Sequence, residues 1–138
     1  MALKDPPPYV KPHNLLAGKS VLITAAAGAG IGFAAATRAA EEGARAVMIS
    51  DIHEGRLQKA VDSLRQATGL EAVYGKLANV TAEDEVQALV DAAEEQMDGV
   101  DILINNAGLG GTRLLVEMPD EEWSRVLDIT LTGTMRMT

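Results

Sequence analysis

Thr24-Ala25-Ala26-Ala27-Gly28-Ala29-Gly30-Ile31-Gly32 is the stretch on which the fold turns. The apolar run Val21-Leu22-Ile23 leads into it, and an alanine-rich segment over 31–42 leads out and stops at Gly43. A strand, a tight loop of small residues and a helix N-terminus, in that order, make a corner for an anion. The first helical N–H groups have no partner inside the helix and point at whatever sits there. Small residues also let the backbone come close to a phosphate. Thr24, Ala27, Gly28, Gly30, Ile31 and Gly32 are therefore candidate nucleotide contacts. An alanine-rich turn that only packs tightly is the competing reading.

Outward from this corner the chain alternates. Ala46-Val47-Met48-Ile49 predicts a second strand. Leu57, Val61 and Leu64 fall at helical spacing, which predicts a helix over 54–67 closed near Gly69. Ala72-Val73-Tyr74 predicts a third, weaker strand. Thr81 and Asp84 have the spacing of a capping box, ahead of a helical face made by Val86, Leu89, Val90, Ala93 and Met97. Residues 100–104 predict a fourth strand. Pro119 suits the first turn of a further helix, with a buried face at Trp123, Val126, Leu127, Thr130, Leu131 and Thr134, still running at Thr138.

The order β-α-β-α-β-α-β-α with short connections means an α/β fold, a parallel sheet with helices on both faces. Right-handed crossovers make it a Rossmann-type doubly wound sheet, here with about four strands and four helices. Residues 1–14, with Pro6-Pro7-Pro8 and Pro12, form a Pro-rich tail, either a mobile terminus or a lid over a neighbouring surface. Residues 15–138 form the domain.

Ligands of such a sheet lie beyond the carboxyl ends of its strands. Asp51 ends the second strand and stands about 20 residues after the glycine loop, where a dinucleotide fold places an acid on the adenosine ribose hydroxyls. With its neighbour Ile52 it joins the candidate site. A carboxylate there repels a 2′-phosphate, so NAD is expected over NADP. An N-cap for the next helix is the other use of this Asp. His53 is expected to be exposed and without a role. Asn79 and Val80 offer an amide for the adenine edge and an apolar face for the ring, or else a plain polar turn. In Asn105-Asn106-Ala107-Gly108, adjacent amides can tie loops together while Ala107 and Gly108 leave room for a ring system. An Asn-rich turn with a positive-φ glycine is the alternative. Asn106, Ala107 and Gly108 complete the candidate set.

Composition bounds the function. The net charge of −8 argues against a nucleic-acid surface, which needs clustered Lys and Arg, but leaves room for one local pyrophosphate site. The absence of cysteine excludes disulfides, thiolate metal sites and cysteine nucleophiles. His13 and His53 lack metal-ligand spacing. No apolar run approaches the roughly 20 residues of a membrane span, and the start lacks a signal-peptide apolar region. A cytoplasmic protein with a small-molecule substrate, and with neither nucleic acid nor membrane as partner, is expected.

Taken together, these residues resemble the short-chain dehydrogenase/reductase family, from about Leu15 to Thr138. The glycine loop, Asp51, Asn79-Val80 and Asn105-Asn106-Ala107-Gly108 carry the resemblance, the last being the most specific. Residues 121–128 look like the opening of the family's fourth helix. More narrowly, residues 15–19, 24–32 and 105–111 are similar to an actinobacterial branch, some members of which act on acyl-CoA thioesters in steroid ring degradation. The resemblance implies an NAD(H)-dependent oxidoreductase interconverting an alcohol and a ketone, as a homo-oligomer assembled through the fourth and fifth helices.

The family's usual loop is Thr-Gly-x-x-x-Gly-x-Gly. Here Ala25 stands at the first glycine, and one extra residue lies between Thr24 and Gly30. The family's adenine-side acid is replaced by Asn79, and its helix-four Asn falls at Thr130. By the same resemblance the catalytic Ser and Tyr, and the Lys four residues after the Tyr, are expected beyond Thr138. Tyr74 is followed at the fourth position by Ala78, and Tyr9 lies in the tail. Lys59 and Lys76 have no phenol at the required spacing. The chain is thus expected to be a cofactor-binding half, ending within the fourth helix and without turnover of its own. A non-catalytic dinucleotide-binding sensor or scaffold would use the same loops. A phospho-acceptor domain would need clustered acids where this chain has alanines.

Overall fold

Parallel strands in the order β3-β2-β1-β4 form one sheet, comprising β1 (Ser20–Ile23), β2 (Ala46–Asp51), β3 (Val73–Leu77) and β4 (Ile102–Ile104). The computed structural model describes residues 7–110 and 113–138. Helices α1 (Ile31–Glu41), α2 (Glu54–Thr68) and α3 (Glu83–Met97) connect the strands. After β4 come a 3₁₀ turn (Leu115–Glu117), α4 (Asp120–Leu127), a π-helical turn (Asp128–Thr132) and α5 (Gly133–Met137). The chain leaves β1 toward β2 and returns to the other side as β4. The loops after β1 and β4 therefore diverge, the place where such sheets open a crevice.

Strand period divides the core. Val21, Ile23, Val47, Ile49 and Val73 face α1 and α2, packing on Ala36, Ala39, Leu57, Val61 and Leu64. Leu22 and Met48 face the other way, onto Val86, Leu89, Ala93 and Met97 of α3 and Met137 of α5. Both faces are covered, so the inner strands are continuously apolar over Val21–Ile23 and Ala46–Ile49, the runs visible in the sequence. Burying a Leu or Ile side chain stabilises the fold by about 1.5–3 kcal/mol.

Four local expectations change. The fourth strand begins at Ile102 rather than at residue 100. The third strand starts one residue later and runs to Leu77, because β2 offers pairing partners as far as Asp51. Gly75 belongs to it: a Cβ there would lie 2.8 Å from Val61 Cγ2, so only glycine lets α2 settle on this strand. The capping box at Thr81 and Asp84 does not form. Asn79 Oδ1 instead accepts the Thr81 N–H at 3.0 Å and its hydroxyl at 2.9 Å, and α3 begins after Ala82 without a side-chain cap.

The predicted buried face of the last helix is also displaced. Gly133 and Met137 are buried, whereas Trp123, Leu127, Thr130 and Leu131 are exposed. A Cβ at Gly133 would come within 2.8 Å of Val80 Cγ2, so the helix rests on Val80 through its glycine. The apolar residues Trp123, Leu127, Leu131 and Met135 stay exposed before, within and after the π turn.

The described part of the proline segment lies against the C-terminal end of α1. The Tyr9 hydroxyl donates to Glu41 at 2.7 Å, and Arg38 donates to the Val10 carbonyl at 2.6 Å. The near-buried Glu42 carboxylate accepts the N–H groups of His13 (2.8 Å) and Leu15 (3.1 Å). Residues 1–6 of the expected tail lie outside the described residues.

Candidate functional site

Thr24 is fully buried at the end of β1, and its hydroxyl accepts the N–H groups of Asn106 at 3.0 Å and Ala107 at 2.9 Å. The Asn106 amide donates in return to the carbonyls of Thr24 (2.9 Å) and Ala25 (3.0 Å). The Ala26 N–H bonds the Ser50 carbonyl at 2.9 Å. The loops after β1, β2 and β4 are thus braced into one frame. Ala25 takes a left-handed conformation, φ 52°, at the position where the family's usual loop has glycine. A methyl group there costs roughly 1–2 kcal/mol.

The extra loop residue is absorbed before α1. Gly30 is extended and caps α1 without a side-chain hydrogen bond, and no acid occupies the first turn. The opening amides are therefore left for an external anion. A Cβ at Gly28 or Gly30 would meet nothing within 4 Å, so this backbone borders open space. Gly32 is different. A Cβ there would lie 2.5 Å from Asn106 Nδ2 and 3.0 Å from Ala26 Cα, so glycine is needed to seat the helix on the braced loops. Ala27 is buried beneath the loop, and Ile31 is 82% exposed at the helix entrance.

A cavity of about 180 Å³ lies beside this corner and is lined by Asp51, Ile52, Asn79, Val80, Ala107 and Gly108, together with Ala25. Residues from the ends of three strands and the braced loop thus meet in one place. Asp51 is nearly buried, and its Oδ1 accepts the His53 N–H at 3.0 Å. It is also 3.2 Å from His53 Nδ1 and 3.5 Å from Arg56 Nη2. The N-cap of α2 is His53, with no side-chain cap, so the capping use of Asp51 is not realised. His53 is exposed as expected, yet it touches Asp51. Asn79 spends its carbonyl oxygen on Thr81, which leaves its NH₂ available as a donor.

Sequence reading missed Arg125 and Ile129, which reach the same cavity from α4 and the π turn. Their spacing, one helical turn, was the available signal. Thr130 does not open toward the cavity as a free hydroxyl. It accepts the Leu109 N–H at 3.2 Å and donates to the Leu109 carbonyl at 3.4 Å, tying the loop after Gly108 to the π turn. Leu109 and Gly110 line a second, wider hollow of about 530 Å³ with Pro119, Glu122, Arg125 and Val126. Gly111 lies outside the described residues, and Leu114 and Leu115 stand exposed at the entry to the 3₁₀ turn. Among the described residues no group of three His, Cys, Asp or Glu side chains is placed to hold a metal, and no helix is long and apolar enough to cross a membrane.

Known proteins share this arrangement. The family model for short chain dehydrogenases matches residues 19–138. A reductase of (5R,7aS)-5-hydroxy-7a-methyl-1-oxo-2,3,5,6,7,7a-hexahydro-1H-indene-carboxyl-CoA from Mycobacterium tuberculosis is 47% identical over 138 residues, 100% of this chain and 52% of that protein. The crystal structure of a short chain dehydrogenase from Mycobacterium smegmatis superposes with a TM-score of 0.90 at 49% identity, covering 95% of this chain and 54% of that one. An NAD⁺-bound xylitol dehydrogenase (TM-score 0.82, 35% identity, 89% of this chain and 46% of that one) is also similar. So is an NADPH-bound actinorhodin polyketide ketoreductase (TM-score 0.81, 37% identity, 87% of this chain and 44% of that one). The chain spans about half the length of the relatives it matches. With its braced glycine corner, its parallel sheet and this match over nearly all of its length, the chain belongs to the short chain dehydrogenase family.

Proposed function

We propose that this chain is the dinucleotide-binding part of an NAD(H)-dependent oxidoreductase that interconverts an alcohol and a ketone. One observation carries the reading: the nearly buried Asp51 carboxylate shares a cavity with Asn79, Val80, Ala107 and Gly108 beside an uncapped helix N-terminus. The fit to a dinucleotide is chemical at each point. The opening amides of α1 take the pyrophosphate. Asp51 accepts hydrogen bonds from ribose hydroxyls, and the Asn79 NH₂ donates to an adenine nitrogen. Ile52, 61% exposed, gains by having a ring laid over it. When bound, the nicotinamide gives or takes the hydride.

The substrate class we propose is a ketone or alcohol carried on an acyl-CoA or steroid-derived skeleton, supported by the indene-carboxyl-CoA reductase at 47% identity. The chain spans about half the length of its relatives, and we assign turnover to a protein of their whole length. We place that protein in the cytoplasm, as a homo-oligomer.

Calorimetric titration tests the cofactor. NAD binds more tightly than NADP, and Asp51→Asn weakens NAD about tenfold by removing a charged acceptor. Tighter binding of NADP overturns the preference, and failure of both dinucleotides to bind overturns the reading itself.

A further inference from the structure

We infer that Arg136 is a positioning residue for the dinucleotide. From outside the cavity assigned above to the adenine, it clamps two of that cavity's walls, Val80 and the π turn that carries Ile129, a role that rests on the dinucleotide reading.

Val80 needs a clamp because the chain has left the sheet there. Pairing of β3 with β2 ends at Leu77, and the Ala78 N–H makes the last bond to β2, on the Asp51 carbonyl at 3.1 Å. Val80 follows in a turn ahead of α3, yet it is nearly buried and lines the cavity. The close packing of Gly133 on its side chain is apolar and without direction. It leaves the backbone of the turn to be fixed by something else.

Arg136, in α5, supplies the direction. Its Nη1 donates to the Val80 carbonyl at 3.3 Å and meets Asp128 Oδ1 at 2.9 Å. Its Nε lies 3.7 Å from Glu83 Oε2, at the start of α3. Glu83 stands mostly in water and adds little. The Arg136 side chain is only 18% exposed, so its bonds to Val80 and Asp128 are less screened than a surface pair. Asp128 opens the π turn and directly precedes Ile129, which lines the cavity from that side. One guanidinium thus joins the loop after β3 to the π turn. It does not itself line the cavity, so it acts on a ligand through Val80 and Ile129. A wall held in place beforehand needs no ordering when the ligand binds. A guanidinium presents five donors in a fixed plane, whereas an ammonium is a point donor, so lysine does not reproduce both bonds.

The test compares adenosine 5′-monophosphate with ribose 5-phosphate, which lacks the base, each titrated by NMR with NAD alongside. Arg136→Met keeps the stem and loses every donor. It is expected to weaken the monophosphate and NAD about tenfold, the worth of one charged hydrogen bond. Ribose 5-phosphate stays within about twofold, because Asp51 and the opening amides of α1 are untouched. Arg136→Lys, which keeps a charge for Asp128, falls between the two. Without ligand, amide exchange across residues 79–82 rises in Arg136→Met. Equal weakening of both ligands overturns the inference, since it marks a general loosening of the fold. So does a monophosphate affinity unchanged within about twofold. If Arg136→Met does not fold, Arg136→Lys decides by the same comparison, and failure of both to fold makes Arg136 a purely structural residue and overturns the inference. In each of those cases the wild type still binds NAD. If NAD and the monophosphate do not bind the wild type, the dinucleotide reading falls, and the inference with it.

Discussion

At Ala25 a single methyl group records a local conflict. The turn out of β1 needs a left-handed residue, and Ala25 supplies φ 52° where glycine would do so without strain. Its carbonyl then meets the Asn106 amide, which also holds Thr24, so the strained turn is tied down on both sides. Ala25→Gly removes the strain but frees the unfolded chain. The net gain expected is about 0.5–1 kcal/mol, read as a higher urea midpoint with an unchanged slope. A lower midpoint would mean that the methyl group packs rather than strains. Gly32 shows the opposite economy: no side chain fits between α1 and Asn106. That a small residue was needed at both places was legible in the spacing of the loop. Which one bends the chain and which one admits a neighbour depended on contacts with residues about 80 positions away.

Elements are set by their ends as much as by their faces. α1 opens without a side-chain cap at the glycine corner and closes on Arg38, Glu41 and Glu42, which hold residues 9–15. The backbone N–H groups of His13 and Leu15, with Arg38 beside them, hold the Glu42 carboxyl below the usual range. At the start of β1, the Ser20 N–H and Lys19 do the same to Asp101, joining β1 to the segment before β4. Both groups are depressed in the folded state, so the unfolded chain takes up protons first as pH falls. Their contribution is complete above the ordinary carboxylate pKa of about 4 and is lost as pH falls through the folded values. The urea midpoint is therefore expected to be level near neutrality and to drop on acidification. Glu42→Gln and Asp101→Asn should each lower the neutral midpoint and flatten the drop. A variant that keeps the full acid slope would show that its carboxylate does not contribute.

Helical period alone marks α2 and α3 and most of the residues they bury, although Val90 is only half-buried and Ala60 and Ala92 are buried beside the expected faces. It misplaced the face of the last helix, because an apolar stripe does not say which side meets the sheet: Gly133 rests on Val80, and Leu127 and Leu131 stay exposed.

On the scale of the whole molecule, the sheet buries both faces, yet one side of α4, the π turn and α5 remains apolar and open. Trp123, Leu127, Leu131 and Met135 recur at intervals of four along it, Leu131 and Met135 each 65% exposed. Surfaces of this kind drive association in water. Replacing Leu131 and Met135 together by lysine is expected to reduce self-association in sedimentation velocity runs and to leave NAD titrations within about twofold, since neither lines a cofactor cavity. An unchanged sedimentation profile would show that this surface does not drive association.

By itself the sequence determined the strand–loop–helix alternation, the glycine corner, and the residues at the strand ends that gather in the cavity. These follow from period, chain stiffness and the fixed geometry of a parallel sheet, all of which act over a few residues or are imposed by the layer architecture. Only the tertiary structure decided the pairing of Arg56 with Asp51, the arrival of Arg125 and Ile129, and the use of Thr130 to hold Leu109. The physical reason is range. A hydrogen bond or an ion pair is made over about 3 Å, between groups that the chain brings together only after its core has formed.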